Sequence, residues 1–198
     1  ITQALLEACG RLAAVTLGHP DIDSPFPSVS VDDVDGMIAT VDHLVDLGHV
    51  RIARVSGPED WLEATARDEG VEAALASAGL TAGPRWSGDW TAATAAGLAE
   101  AIAIAVRAGG GPTAVVAAND QMALGLIAGL RARGVDVPGD VSITGFDDNP
   151  DAAFYSPSLT TVRLDLTGEA RRAVAGVLGI EAASPPDEPV LVARASTA

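Results

Sequence analysis

Four side chains stand where alternating strands and helices would gather the ends of their strands: Arg67, Trp90, Asn119 and Asp147. Arginine offers a planar fork of donors, aspartate offers acceptors, asparagine offers both, and tryptophan a flat apolar plate. Together they suit a neutral polyhydroxyl ligand, with vicinal hydroxyls on the charged groups and the indole over a C–H face. Each residue taken singly also has a structural reading. Asn119 or Asp120 would cap the helix that follows, and Arg67 would be a solvated helix residue pairing with Glu63 or Asp68. Trp90 would be partly buried core, and Asp147-Asp148 a loop acid and a cap. The coincidence of all four at one end of the pattern favours a shared site.

Catalytic readings find less support. Paired carboxylates can hydrolyse glycosides, but neighbouring Asp147 and Asp148 would point apart, and no second acid is marked out. No G-x-S-x-G, Walker A or G-x-G-x-x-G stretch occurs. Gly109-Gly110-Gly111 precedes a strand rather than following one, so it reads as a connector and not a phosphate cradle. His43 and His49 flank a helix end without Cys or carboxylate at ligand spacing, so neither a metal nor a cofactor is expected.

The elements that must position the four residues follow from the pattern. Thr113 to Asp148 reads as one strand–helix–strand unit: apolar Thr113–Ala118, then Asn119-Asp120, then a helix with Met122, Leu126, Ile127 and Leu130 on one face. Gly134 closes that helix, and Pro138-Gly139 turns into the strand Val141–Phe146. Such a crossover is right-handed in nearly all proteins, and ligands of open α/β sheets bind beyond the carboxyl ends of the strands. Upstream, a helix tail at residues 2–9 precedes a strand at Leu12–Leu17, a loop at His19–Ser28 and a strand at Val29–Val31. Asp32 or Asp33 would cap a helix to about Leu47. A strand at Arg51–Ser56, a helix at Trp61–Ala78, a short strand before Gly88 and an Ala-rich helix from Thr91 to Ala108 come next. Downstream, Asn149-Pro150 caps a short turn, Ser156–Val162 is an extended link, Leu166–Ala183 a helix and Pro189–Ala193 a last strand. Strands alternating with helices throughout predict a doubly wound parallel α/β fold.

Composition sets outer bounds. The 198 residues suffice for a full core, and hydrophobic residues make up 48% of them. No run approaches the ~18 apolar residues of a membrane span, and residues 1–18 lack the pattern of a signal peptide. The net charge is −15, from 27 acids against 12 arginines and no lysine, which repels phosphate backbones. Cys9 is a lone cysteine, which fits a reducing compartment. The chain opens at Ile1 in mid-helix without an initiator Met, so it reads as a fragment.

The blocks VSVDDVDGMIATVDHLVDLGHVRIARVSGP, ATARDEGVEAAL, GDWTAATAAG, PTAVVAANDQMALGLIAGLRARGVDVPGDVSITGFDD and YSPSLTTVRLDL follow one another from Val29. Their order and spacing resemble the effector-binding core of LacI/GalR-type bacterial transcription regulators. The resemblance covers most of the chain, to about Val192. It implies a type I periplasmic-binding-protein-like architecture: two Rossmann-like parallel-sheet lobes with a small-molecule effector, a sugar, between them. Residues 32–161 and 189–198 would form the C-terminal lobe, and residues 1–31 and 163–188 the remnant of an incomplete N-terminal lobe. It further implies a cytoplasmic, non-enzymatic homodimer that meets operator DNA through a headpiece absent from this sequence. By position, Arg67, Asn119 and Asp147 inherit bonds to sugar hydroxyls, Trp90 a stacking role, and Leu124, Phe154 and Tyr155 a dimer interface, with core packing as the other reading of that trio. Departures concern the ligand. Gly18 stands where a galactoside-binding member offers an acid, and Leu164 and Leu166 where it offers Gln and Phe. The alternative of the same architecture is a sugar-binding protein of an uptake system.

Overall fold

A computed structural model of the chain describes residues 16–17, 28–29, 33–181 and 187–198. The helix tail at residues 2–9, most of the first strand and loop, Val31-Asp32 and Gly18 lie outside the described residues. The chain divides into two compact units, Ile1–Asp32 with Leu164–Glu188 and Asp33–Arg163 with Pro189–Ala198.

In the smaller unit, β1 (Thr16–Leu17) and β2 (Ser28–Val29) pair in parallel. Its helix, α5 (Leu166–Leu178), is capped by Asp165, whose carboxylate accepts from the Gly168 amide at 2.8 Å. The helix stops well before the expected Ala183. Gly179 takes the left-handed conformation (φ 64°) and ends it, as glycine does at this position without a Cβ penalty.

The larger unit carries the repeated strand–helix rhythm. In chain order it holds α1 (Asp33–Asp46), β3 (Ile52–Ser56), α2 (Leu62–Ser77), β4 (Arg85–Ser87), α3 (Ala92–Arg107), β5 (Ala114–Ala117), α4 (Asp120–Arg131) and β6 (Ser142–Thr144). The four strands form one parallel sheet in the order β4-β3-β5-β6. Alternation along the strands assigns the two faces. Ala53, Val55, Val115, Ala117 and Ile143 join one core with Ala99 and Ile102 of α3 and Met122, Leu126 and Leu130 of α4. The opposite register meets the α1–α2 pair, which buries Met37, Val41, Leu44, Val71 and Leu75.

Three expectations change at the far edge. The strand expected at Val141–Phe146 is regular only at Ser142–Thr144, because Phe146 already turns toward α1 and Asp147 and Asp148 have positive φ. The expected link at Ser156–Val162 instead ends in a strand, β7 (Thr161–Arg163), paired antiparallel with β8 (Val190–Val192). This pair is a separate two-stranded sheet, and the four-stranded sheet stays parallel throughout. A 3-10 turn at Ala152–Phe154 replaces the helical turn expected after Asn149, and Asn149 gives it no side-chain cap. Instead the Asn149 backbone carbonyl accepts from the Ala152 amide at 2.8 Å.

Candidate functional site

The carboxyl ends of β3, β4, β5 and β6 converge, and the four residues singled out from the sequence meet there. Arg67 lies on the second turn of α2 and is buried. Its Nε donates to Asp33 at 2.8 Å and its Nη1 to the Ala118 carbonyl at 2.6 Å, while Nη2 stands 3.3 Å from Asp147 Oδ1. Its guanidinium carbon sits 4.1 Å from the Phe146 ring centroid and 5.5 Å from that of Trp90, within cation–π range. The pairing with Glu63 or Asp68 does not form: Asp68 instead pairs with Arg54 and Arg85. Arg67 is drawn inward instead, where Asp33 and the Ala118 carbonyl take up its Nε and Nη1.

Asn119 is the N-cap of α4, with its Oδ1 accepting from the Met122 amide at 2.9 Å. Its Nδ2 donates to the Trp90 carbonyl at 3.1 Å. The capping reading is thus correct, and the same amide ties β5 to the loop after β4. Trp90 holds a left-handed backbone (φ 72°), unusual for an aromatic residue, with its Nε1 buried and unpartnered among the described residues. Gly57 makes room for it, because a Cβ there would run into the indole. Thr91 next to it caps α3, accepting from the Thr94 amide at 3.2 Å.

Asp147 also has positive φ (107°). Burial pushes its carboxyl up to about 6, against the pull of Arg67 and with further push from Asp120 and Asp33. Its neighbour does something else. Asp148 bridges Arg194 and Arg163, each at 2.6 Å, so it locks β7 to the C-terminal segment. Burial would raise the Asp148 carboxyl, but those two guanidiniums outweigh it and hold it below the ordinary range. Asp120 is fully buried and accepts from Thr161 Oγ1 at 2.5 Å and from the Asn149 amide at 2.7 Å. Burial raises its carboxyl, opposed by those bonds.

Residues that the sequence reading missed complete the cluster. Asp33 reads there as a helix cap but is the closest carboxylate to Arg67. Phe146 reads as strand core but lies flat beneath the guanidinium. Trp61, passed over as a helix start, meets Trp90 edge-to-face with ring centroids 5.8 Å apart. A Trp six residues before the Arg was the available signal. The dimer candidates lie apart from this cluster: Phe154 is 84% exposed, Leu124 is exposed on α4, and Tyr155 is half-buried against the core. Among the described residues no three His, Cys, Asp or Glu side chains group to hold a metal. His43 bonds Thr197, and His49 bonds Thr113 and Ser142.

Polar groups gathered beyond the carboxyl ends of a parallel α/β sheet stand where such folds bind ligands. Residues 41–197 match the family described as "Periplasmic binding protein-like domain". The chain is 35% identical over 162 residues to the lactose operon repressor of Escherichia coli strain K12, spanning 82% of this chain and 44% of that protein. It is 38% identical over 187 residues to the HTH-type transcriptional regulator MalR of Streptomyces coelicolor, spanning 89% and 53%. A solved structure of the lac repressor dimer bound to operator and the anti-inducer ONPF superposes with a TM-score of 0.81 at 32% identity, over 98% of this chain and 68% of that one. The chain belongs to the LacI family, as an effector-binding domain of periplasmic-binding-protein-like fold. It spans about half the length of the curated relatives it matches.

Proposed function

We propose that the chain is the effector-binding and dimerisation core of a sugar-responsive transcriptional regulator, and that Arg67, Trp90, Asn119 and Asp147 contact the sugar. The observation that carries this reading is the preorganised cluster around Arg67. A buried fork held by Asp33 and the Ala118 carbonyl keeps its remaining edge toward Asp147. A polyol that donates to Asp147 and accepts from Arg67 would enter a site whose geometry is already set. The partly exposed indole of Trp90 stands beside them for the apolar face.

The larger unit is the C-terminal lobe in this reading, and the smaller one belongs to the N-terminal lobe. Operator binding falls to a headpiece outside this acidic chain, since a net charge of −15 repels phosphate. The repressor relatives favour a regulator over a solute-binding protein of an uptake system, and over an enzyme. A cytoplasmic location accords with that reading. No helix among the described residues is long and apolar enough to cross a membrane. Ligand binding regulates through its unequal affinity for two arrangements of the domain, and by no more than that difference.

Isothermal titration of the full-length protein against a sugar panel tests the assignment. At least one sugar should bind, and Arg67→Ala and Asp147→Ala should each weaken it about tenfold or more, the size expected for lost charged hydrogen bonds. Unchanged affinity in both variants would remove these residues from the site.

A further inference from the structure

Trp61 stands at the N-cap of α2 but makes no side-chain capping bond. Its indole is 50% exposed, whereas tryptophan is on average highly buried. What the ring does touch is Trp90, edge-to-face, with the two planes 67° apart.

We propose that Trp61 is a second stacking plate, and that the effector is a saccharide of at least two rings, one against Trp90 and the next against Trp61. The inference rests on the reading of the four-residue cluster as a sugar site. The angle between the plates carries it. One pyranose can lie flat on one indole, and an indole inclined at 67° to the first cannot also lie flat on that ring. Successive pyranoses are themselves inclined across a glycosidic oxygen, so two inclined plates match two linked rings. Two residues before Trp61 in the chain, Glu59 offers a carboxylate to a hydroxylated second ring. Glu59 is held by Arg85 at 3.3 Å and by Ser87 at 3.5 Å, both long and exposed bonds. Sugar hydroxyls can replace such bonds at small cost. The half-wet indole gains when a sugar C–H face covers it. If Trp61 instead only shielded Trp90, its loss would be felt equally by ligands of one ring and of two.

Titration calorimetry of the full-length protein with glucose, galactose and their di- and trisaccharides, on wild type, Trp61→Ala and Trp61→Phe, separates these cases. The expected result is a disaccharide binding about tenfold tighter than its monosaccharide. Trp61→Ala should abolish that advantage while leaving monosaccharide affinity within about twofold, and Trp61→Phe should restore most of it. A thermal midpoint near wild type for the alanine variant shows that the fold is kept. Equal binding of one and two rings, equal weakening of both by Trp61→Ala, or no weakening of either overturns the proposal. Failure of every sugar to bind the wild type overturns the underlying sugar reading and this proposal with it. Binding that Asp147→Ala weakens while Trp61→Ala leaves untouched overturns this proposal alone.

Discussion

At the scale of single residues, Asp147 is the group whose chemistry is most disturbed. Its carboxyl is pushed up to about 6 by burial, so the folded chain holds that proton more tightly than the unfolded chain does. A raised carboxyl makes folding more favourable as pH falls from above 6 toward the ordinary carboxylate range, and imposes its full cost above 6. Asp147→Asn should therefore raise the thermal midpoint at pH 7.5 by a few degrees, on the order of 1–2 kcal/mol once solvent screening is allowed for. The gain should shrink as pH falls below about 6 and vanish only below about 3.8, where the carboxyl is protonated in the unfolded chain as well. Differential scanning calorimetry of both proteins across that range checks it, and a constant difference between them would contradict the assignment. The same titration should weaken sugar binding below pH 6, where the acceptor becomes a donor. At this scale the sequence was informative about identities and silent about partners. Residue type and strand-end position singled out Arg67, Trp90, Asn119 and Asp147. The tie from Arg67 to Asp33, 34 residues away, leaves no local trace, because no fixed spacing encodes a contact between two helices.

At the scale of elements, the loops that carry the site depend on close helix packing. Gly125 of α4 lies against the start of α3, where a Cβ would overlap the Ala92 carbonyl oxygen. Ala92 follows the Thr91 cap and stands two residues from Trp90. Gly125→Ala should therefore destabilise the domain by about 1–3 kcal/mol, a fall of several degrees in thermal midpoint. Because the overlap displaces the start of α3, sugar affinity measured by calorimetry should fall with it. Retained stability and affinity would mean that the two helices part without moving Trp90. The elements themselves were largely readable. Periodicity and glycine stops placed the four helices of the larger unit, since apolar spacing and positive-φ sites are local signals. The pairing of β7 with β8 was not, because Thr161–Arg163 and Val190–Val192 lie far apart in sequence and neither shows clean alternation. The end of α5 at Gly179 was legible in principle. The apolar residue that follows it, Ile180, prolonged the helical pattern past its stop.

At the scale of the whole molecule, Phe154 is a large apolar side chain left almost entirely in water, with Leu124 also exposed and Tyr155 half-buried. Covering such side chains is worth roughly 1.5–3 kcal/mol for each one fully buried, enough to matter to a self-complementary interface. Phe154→Glu should shift the full-length protein toward monomer by at least about tenfold in dissociation constant. Sedimentation equilibrium would read that shift. Sugar affinity per chain should be unchanged, since these residues lie apart from the Arg67 cluster. A wild-type protein that is monomeric throughout, or a variant that dimerises as tightly, would dissolve the interface assignment.

The three-way hold on Arg67 has a consequence for how such a receptor can diversify. A side chain anchored by a carboxylate, a main-chain carbonyl and a second acid can be exchanged only together with its anchors, so it changes rarely and in concert. Trp61 meets Trp90 edge-on and leaves half its surface open, so it can be replaced one mutation at a time at little structural cost. Drift toward new ligands, in nature or in a biosensor library, should begin at position 61 and reach position 67 last.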